Sequence, residues 1–200
     1  MYNRTMNPLL PGQFQEKYGL QLQGMWEFST LSLLEGACED ICRGFGNRKP
    51  RWMRRIHICL EVGPYGGLTS ANMKVKLNPV GLSQWTIVHE LAHAWDYSSL
   101  CSNSLRMMLI TNSWGPVPGL HKSHPLDQRY WYHPGELPVP CGVDEHFNRY
   151  EDFAESVTAF VYPEQAALRA AKNGRPYDRY GYGHFHDTPR GRFIRELIKK

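Results

Sequence analysis

A chain of 200 residues, 42% hydrophobic and 21% charged, is long enough to bury roughly 70% of its unfolded surface and too apolar to remain disordered. Its net charge of +4 is too mild to mark the whole chain as a polyanion binder, and no apolar run reaches the length of a membrane span. The first residues, MYNRTMNPLLPGQFQ, lack the continuous apolar stretch of a secretory signal, so the chain reads as soluble, and as cytoplasmic or exported without a classical signal peptide.

Residues 1–25 mix proline, glycine and glutamine without periodicity and read as an extended lead-in to a single domain over 26–200. From Ser29, the residues Leu31, Leu33, Leu34, Ala37, Cys38, Ile41, Cys42 and Phe45 recur at helical spacing, and Gly44 or Gly46 ends the run. Arg48, Lys49, Arg51, Arg54 and Arg55 then concentrate five positive charges, which predicts a solvated face and, as the alternative, a phosphate-binding patch. Ile56, Ile58, Leu60 and Val62 alternate with polar neighbours as a strand does, and Met73, Val75 and Leu77 do so again after a turn at Gly63, Pro64, Gly66 and Gly67. Five cysteines, Cys38, Cys42, Cys59, Cys101 and Cys141, fit no finger, ribbon or disulfide framework, so they are expected as free thiols.

Gln84 to Tyr97, QWTIVHELAHAWDY, carries His89, Glu90 and His93 in the order His-Glu-x-x-His, with Ser83 as the expected N-cap. On a helix, residues four apart share one face, so both imidazoles can reach one ion, and Glu90 adjoins it. Zinc in such a site keeps a position for water and lowers its pKa to about 7, which makes Glu90 the natural general base. The longer motif with a third histidine is excluded, because Asp96 and Ser99 stand where it needs glycine and histidine; Asp96 is a candidate partner for a ligand imidazole.

A short helix through Leu105, Met108, Leu109 and Ile110 is expected next. The segment from Trp114 to Phe147, rich in proline, glycine and aromatic residues, reads as a long functional loop at the substrate rim. Its histidines, His121, His124, His133 and His146, have no ligand spacing. The next helical stretch, NRYEDFAESVTAFVY from Asn148 to Tyr162, offers Glu151 and Glu155 on one face, so one can ligate zinc while the other accepts a hydrogen bond from a ligand histidine. Thr188 and Pro189 open a last helix through Phe193, Ile194 and Leu197.

Two local texts carry a resemblance: His89 to Asp96, reading His-Glu-x-x-His-Ala-x-Asp, and Glu-x-Phe-Ala-Glu over Glu151, Phe153, Ala154 and Glu155. Together with the closing Thr-Pro helix they resemble the gluzincin metallopeptidases, and among these the lethal-factor-like zinc proteases. The resemblance implies a zincin-like α+β fold with a small mixed sheet, Zn2+ as cofactor, Glu151 as third ligand beside His89 and His93, and a peptide or protein substrate. That family places a transition-state tyrosine shortly before the ligand glutamate, where this chain has Asp144; Tyr150, Tyr132 or Tyr130 could fill the role. The expected activity is peptide-bond hydrolysis, with the strand Lys74 to Asn78 as the edge that holds the substrate. Two alternatives stand beside it: a toxin-like or binding module with narrow or no proteolysis, and a nucleic-acid binder using residues 48–55. Neither substrate preference nor oligomeric state is legible.

Overall fold

Ile58, and then Val75 and Leu77, alternate with polar neighbours because they sit on the central strands of a four-stranded mixed sheet, where all three are fully buried, as is Ile56 just ahead of the first of these strands. The computed structural model describes residues 9–111, 114–116, 130–132, 148–172 and 182–199, an α+β arrangement with seven α-helices among those residues. The chain divides into two compact units, Met1–Ser98 and Ser99–Lys200.

In the first unit, the stretch expected as an extended lead-in holds a helix and a strand instead. Helix α1 spans Pro11–Tyr18, with proline in its first turn, and the Gln13 side chain accepts a hydrogen bond from the Leu10 amide at 2.7 Å. Gly19, at φ +83°, closes it, a conformation that other residues adopt only at a cost. Strand β1 (Gln21–Gln23) follows, then α2 (Phe28–Gly44), which buries Leu31, Leu34, Ala37, Cys38 and Ile41 on one stripe, the face predicted from the spacing.

Strands β2 (His57–Leu60), β3 (Gly67–Ser70) and β4 (Lys74–Leu77) complete the sheet in the order β1, β2, β4, β3. β1 and β4 run parallel to β2, while β3 runs antiparallel to β4. The expectation that Lys74 to Asn78 forms the edge is therefore wrong. β4 is paired on both sides, and the edge is β3, from a stretch whose beginning reads as a turn in the sequence. The Asn78 amide donates to the Gly66 carbonyl, and with the two-residue period of the ladder this turns the Gly66, Leu68 and Ser70 main-chain groups toward β4. Those of Gly67 and Thr69 face the other edge, with which no strand pairs among the described residues. Helix α3 (Gln84–Ser98) packs on β3, β4 and α2, and a Cβ on Gly36 of α2 would overlap the Gln84 amide.

In the second unit, α4 (Ser102–Ile110) buries Met107 and Met108 and leaves Leu109 and Ile110 exposed. Strands β5 (Trp114–Pro116) and β6 (Tyr130–Tyr132) pair antiparallel, so the expected loop contains a two-stranded ladder. Helix α5 (Arg149–Val161) is the centre of this unit, with α4, α6 (Pro163–Lys172) and α7 (Pro189–Ile198) packed around it. The predicted opening of α7 is present: the Thr188 hydroxyl accepts from the Gly191 amide at 3.0 Å. A buried ion pair ties α7 to α5, with Arg190 Nε donating to Asp152 Oδ1 at 2.8 Å and Nη2 to Oδ2 at 2.9 Å.

Cys38, Cys42, Cys59 and Cys101 are free thiols, as expected; Cys141 lies outside the described residues. No helix among the described residues is long and apolar enough to cross a membrane.

Candidate metal centre

The geometry begins with the N-cap of α3. The Ser83 hydroxyl accepts from the Thr86 amide at 3.2 Å, so the cap read from the sequence is the one used. From there Ile87, Val88 and Leu91 are fully buried, each contributing about 1.5–3 kcal/mol, and they fix the rotation of the helix about its axis. That rotation turns His89 and His93 to a common point. Their Nε2 atoms lie 3.1 Å apart, with the rings edge to face at 81°. Two imidazoles on one tetrahedral zinc, each with a Zn–N distance of about 2.0–2.1 Å, hold their nitrogens roughly 3.3 Å apart, so the pair fits an ion with little movement.

Glu90 leaves the same helix on an adjacent face and is 6% exposed. Its carboxylate Oε2 accepts a hydrogen bond from the Thr69 hydroxyl of β3 at 2.6 Å, and its main-chain carbonyl lies 3.0 Å from the same hydroxyl. The backbone of Gly67 lies against it, where a Cβ would stand 2.5 Å from Glu90 Cγ and 2.7 Å from Oε1. Asp96 is 2% exposed, so it is not the solvated residue that a position near a helix end suggests. Behind His93 the helix is braced by stacking of Trp95 on Trp52, with centroids 5.3 Å apart and planes within 10°.

Glu151 lies in the first turn of α5, where the Asn148 side chain caps two amides, accepting from Tyr150 N at 2.8 Å and Glu151 N at 3.3 Å. The cap fixes where the helix begins and hence where Glu151 points, and an acidic residue there also suits the helix dipole. His89 and His93 stand on α3 of the first unit, and Glu151 stands on α5 of the second. Among the described residues, Cys38 and Cys42 belong to no group of three or more side chains that could hold a metal ion. Glu155, four residues on, is buried at 7% exposure.

Of the candidate tyrosines, Tyr150 is half-buried and its hydroxyl accepts from Arg149 Nη2 at 2.7 Å. The side chains of Tyr130 and Tyr132, and Asp144, His121, His124, His133 and His146, lie outside the described residues. Arg48, Lys49, Arg51, Arg54 and Arg55 are all exposed, as a solvated basic face requires. Thr69, Gly67 and Arg190 carry no motif and were not legible; the one hint was a small-residue stretch, GLTS, directly before the strand that leads to the histidine helix.

Comparison of the chain with protein-family models, with curated proteins and with solved structures yields no match.

Proposed function

We propose that the chain is a zinc-dependent metallopeptidase of zincin-like fold, in which His89, His93 and Glu151 hold the ion and Glu90 is the general base. The observation that carries this reading is a pair of imidazole nitrogens converging at 3.1 Å beside a buried carboxylate on the same helix. Two imidazoles and one carboxylate are a donor set of catalytic zinc, and an ion so held supplies a Lewis acid and lowers the pKa of a bound water toward about 7.

The chain's own residues then divide the work. Glu90 accepts a proton from the attacking water on a carboxylate oxygen and delivers it to the departing amine nitrogen, so it ends the cycle ionised as it began. Glu155 and Asp96, both buried carboxylates, orient the ligand imidazoles by accepting from the ring N–H that faces away from the ion. The peptide adds as a strand to the outer edge of β3, bonding to the main-chain groups of Gly67 and Thr69, which removes the role first expected of β4. Tyr150 is the candidate to stabilise the oxyanion by donating its hydroxyl proton, and Arg149 Nη2 lies 2.7 Å from that hydroxyl.

The experiment is a peptide-library digest with metal analysis of the wild type and Glu90→Gln. Zinc-dependent cleavage that Glu90→Gln loses supports the reading; a zinc-loaded wild type that cleaves nothing in the library overturns it.

A further inference from the structure

We propose that Thr69, on the edge strand β3, is a positioning residue for the Glu90 carboxylate, and that Gly67 leaves the space into which that carboxylate fits. The proposal rests on the peptidase reading above and adds to it the element that aims the base. A glutamate side chain has three rotatable bonds, and nothing in the His-Glu-x-x-His spacing fixes them. On this chain two residues of one strand do.

The Thr69 hydroxyl has one proton and two acceptors in reach, Glu90 Oε2 at 2.6 Å and the Glu90 carbonyl at 3.0 Å. The shorter contact lies in the range of a charge-assisted O–H···O⁻ bond, so the proton goes to the carboxylate. Oε2 is thereby engaged and Oε1 is left as the oxygen that can receive a proton. Thr69 is itself buried at 9% exposure, so the bond is not open to competition from bulk water.

Gly67 acts by absence. Its ideal Cβ would stand 2.5 Å from Glu90 Cγ and 2.7 Å from Cδ and Oε1, closer than real Cβ atoms come. Its φ lies outside the left-handed region, so alanine is conformationally permitted and its effect falls on Glu90 and not on the strand. The main-chain groups of these same two residues face the edge of β3 away from β4. A peptide that pairs there holds the strand that holds the base, which couples substrate binding to base orientation.

The test compares Thr69→Val, Thr69→Ser and Gly67→Ala in two readouts. In the metal-free protein, the carboxyl-carbon resonance of Glu90 in isotope-labelled glutamate, assigned by its loss in Glu90→Gln, moves in Thr69→Val and Gly67→Ala and stays in Thr69→Ser. In the zinc-loaded protein, Thr69→Val and Gly67→Ala lower kcat by roughly 10- to 100-fold, the scale of a lost hydrogen bond to a charged group, with KM and bound zinc near wild type, and Thr69→Ser retains most of the rate. An unmoved resonance in Thr69→Val, or Thr69→Ser impaired as severely as Thr69→Val, overturns the proposal, the second because it would mean that the methyl group and its packing matter. If the wild type binds zinc and cleaves no peptide, the peptidase reading fails on its own and the resonance still decides the tether.

Discussion

Arg190→Met removes the cation of the most deeply buried ion pair among the described residues. The guanidinium and carboxylate are 1% and 0% exposed, joined by two bonds of 2.8 and 2.9 Å, with the Ser156 hydroxyl adding a third to Asp152 at 3.2 Å. An exposed pair of this kind contributes about 0–1 kcal/mol, but here the Asp152 charge would stay buried without its main partner, at a cost of about 3–5 kcal/mol. With a urea m-value of about 2 kcal/mol/M, the unfolding midpoint falls by roughly 1.5–2.5 M. A urea titration followed by far-ultraviolet circular dichroism reads this directly. Removing both charges in Asp152→Leu/Arg190→Met must cost clearly less than the sum of the single changes, because neither charge is then stranded. A single-variant midpoint within about 0.3 M of wild type, or strict additivity in the double variant, refutes the reasoning.

Three further outcomes follow from the same geometry. His89→Ala, His93→Ala and Glu151→Ala each take one ligand from the proposed site and lower bound zinc in elemental analysis; stoichiometric zinc in all three removes the site. Glu155→Ala acts on the proposed orienting partner, so metal affinity is expected to fall only about 10- to 100-fold, and a loss as complete as that of Glu151→Ala would exchange the two roles. Burial pushes the Cys38 thiol well above its ordinary value, so alkylation at pH 8 leaves Cys38 unmodified in the native chain and labels it after denaturation, as peptide mapping by mass spectrometry will show.

The parts legible from the sequence are those whose information is local. Helix α3 and its Ser83 cap, the buried stripe of α2, the alternation of β2 and β4 and the Thr188 opening of α7 each follow from periodicity or a capping residue. Edge strand β3 escaped because GLTS has no alternating apolar pattern: Leu68 is 53% exposed, Thr69 is the one buried residue, and the strand exists by pairing with β4 and packing on α3. Helix α1 was missed for a different reason. Only Phe14 and Tyr18 of its eight residues are buried, yet Pro11 at its start and Gly19 after its end were signals available in the sequence. The Asp152–Arg190 pair joins residues 38 apart, a distance at which spacing carries no information.

The central claim is that Glu90 moves the proton at a zinc ion it does not ligate. The measurement is bound zinc and peptide hydrolysis in wild type and Glu90→Gln, side by side, with and without a chelator. Glutamine keeps the size and the helix but cannot take a proton, so zinc should be equimolar in both proteins while hydrolysis falls by about 10²–10⁴-fold or more. Wild-type cleavage by Glu90→Gln that the chelator still abolishes would contradict the account, because the proton would then be carried by another residue.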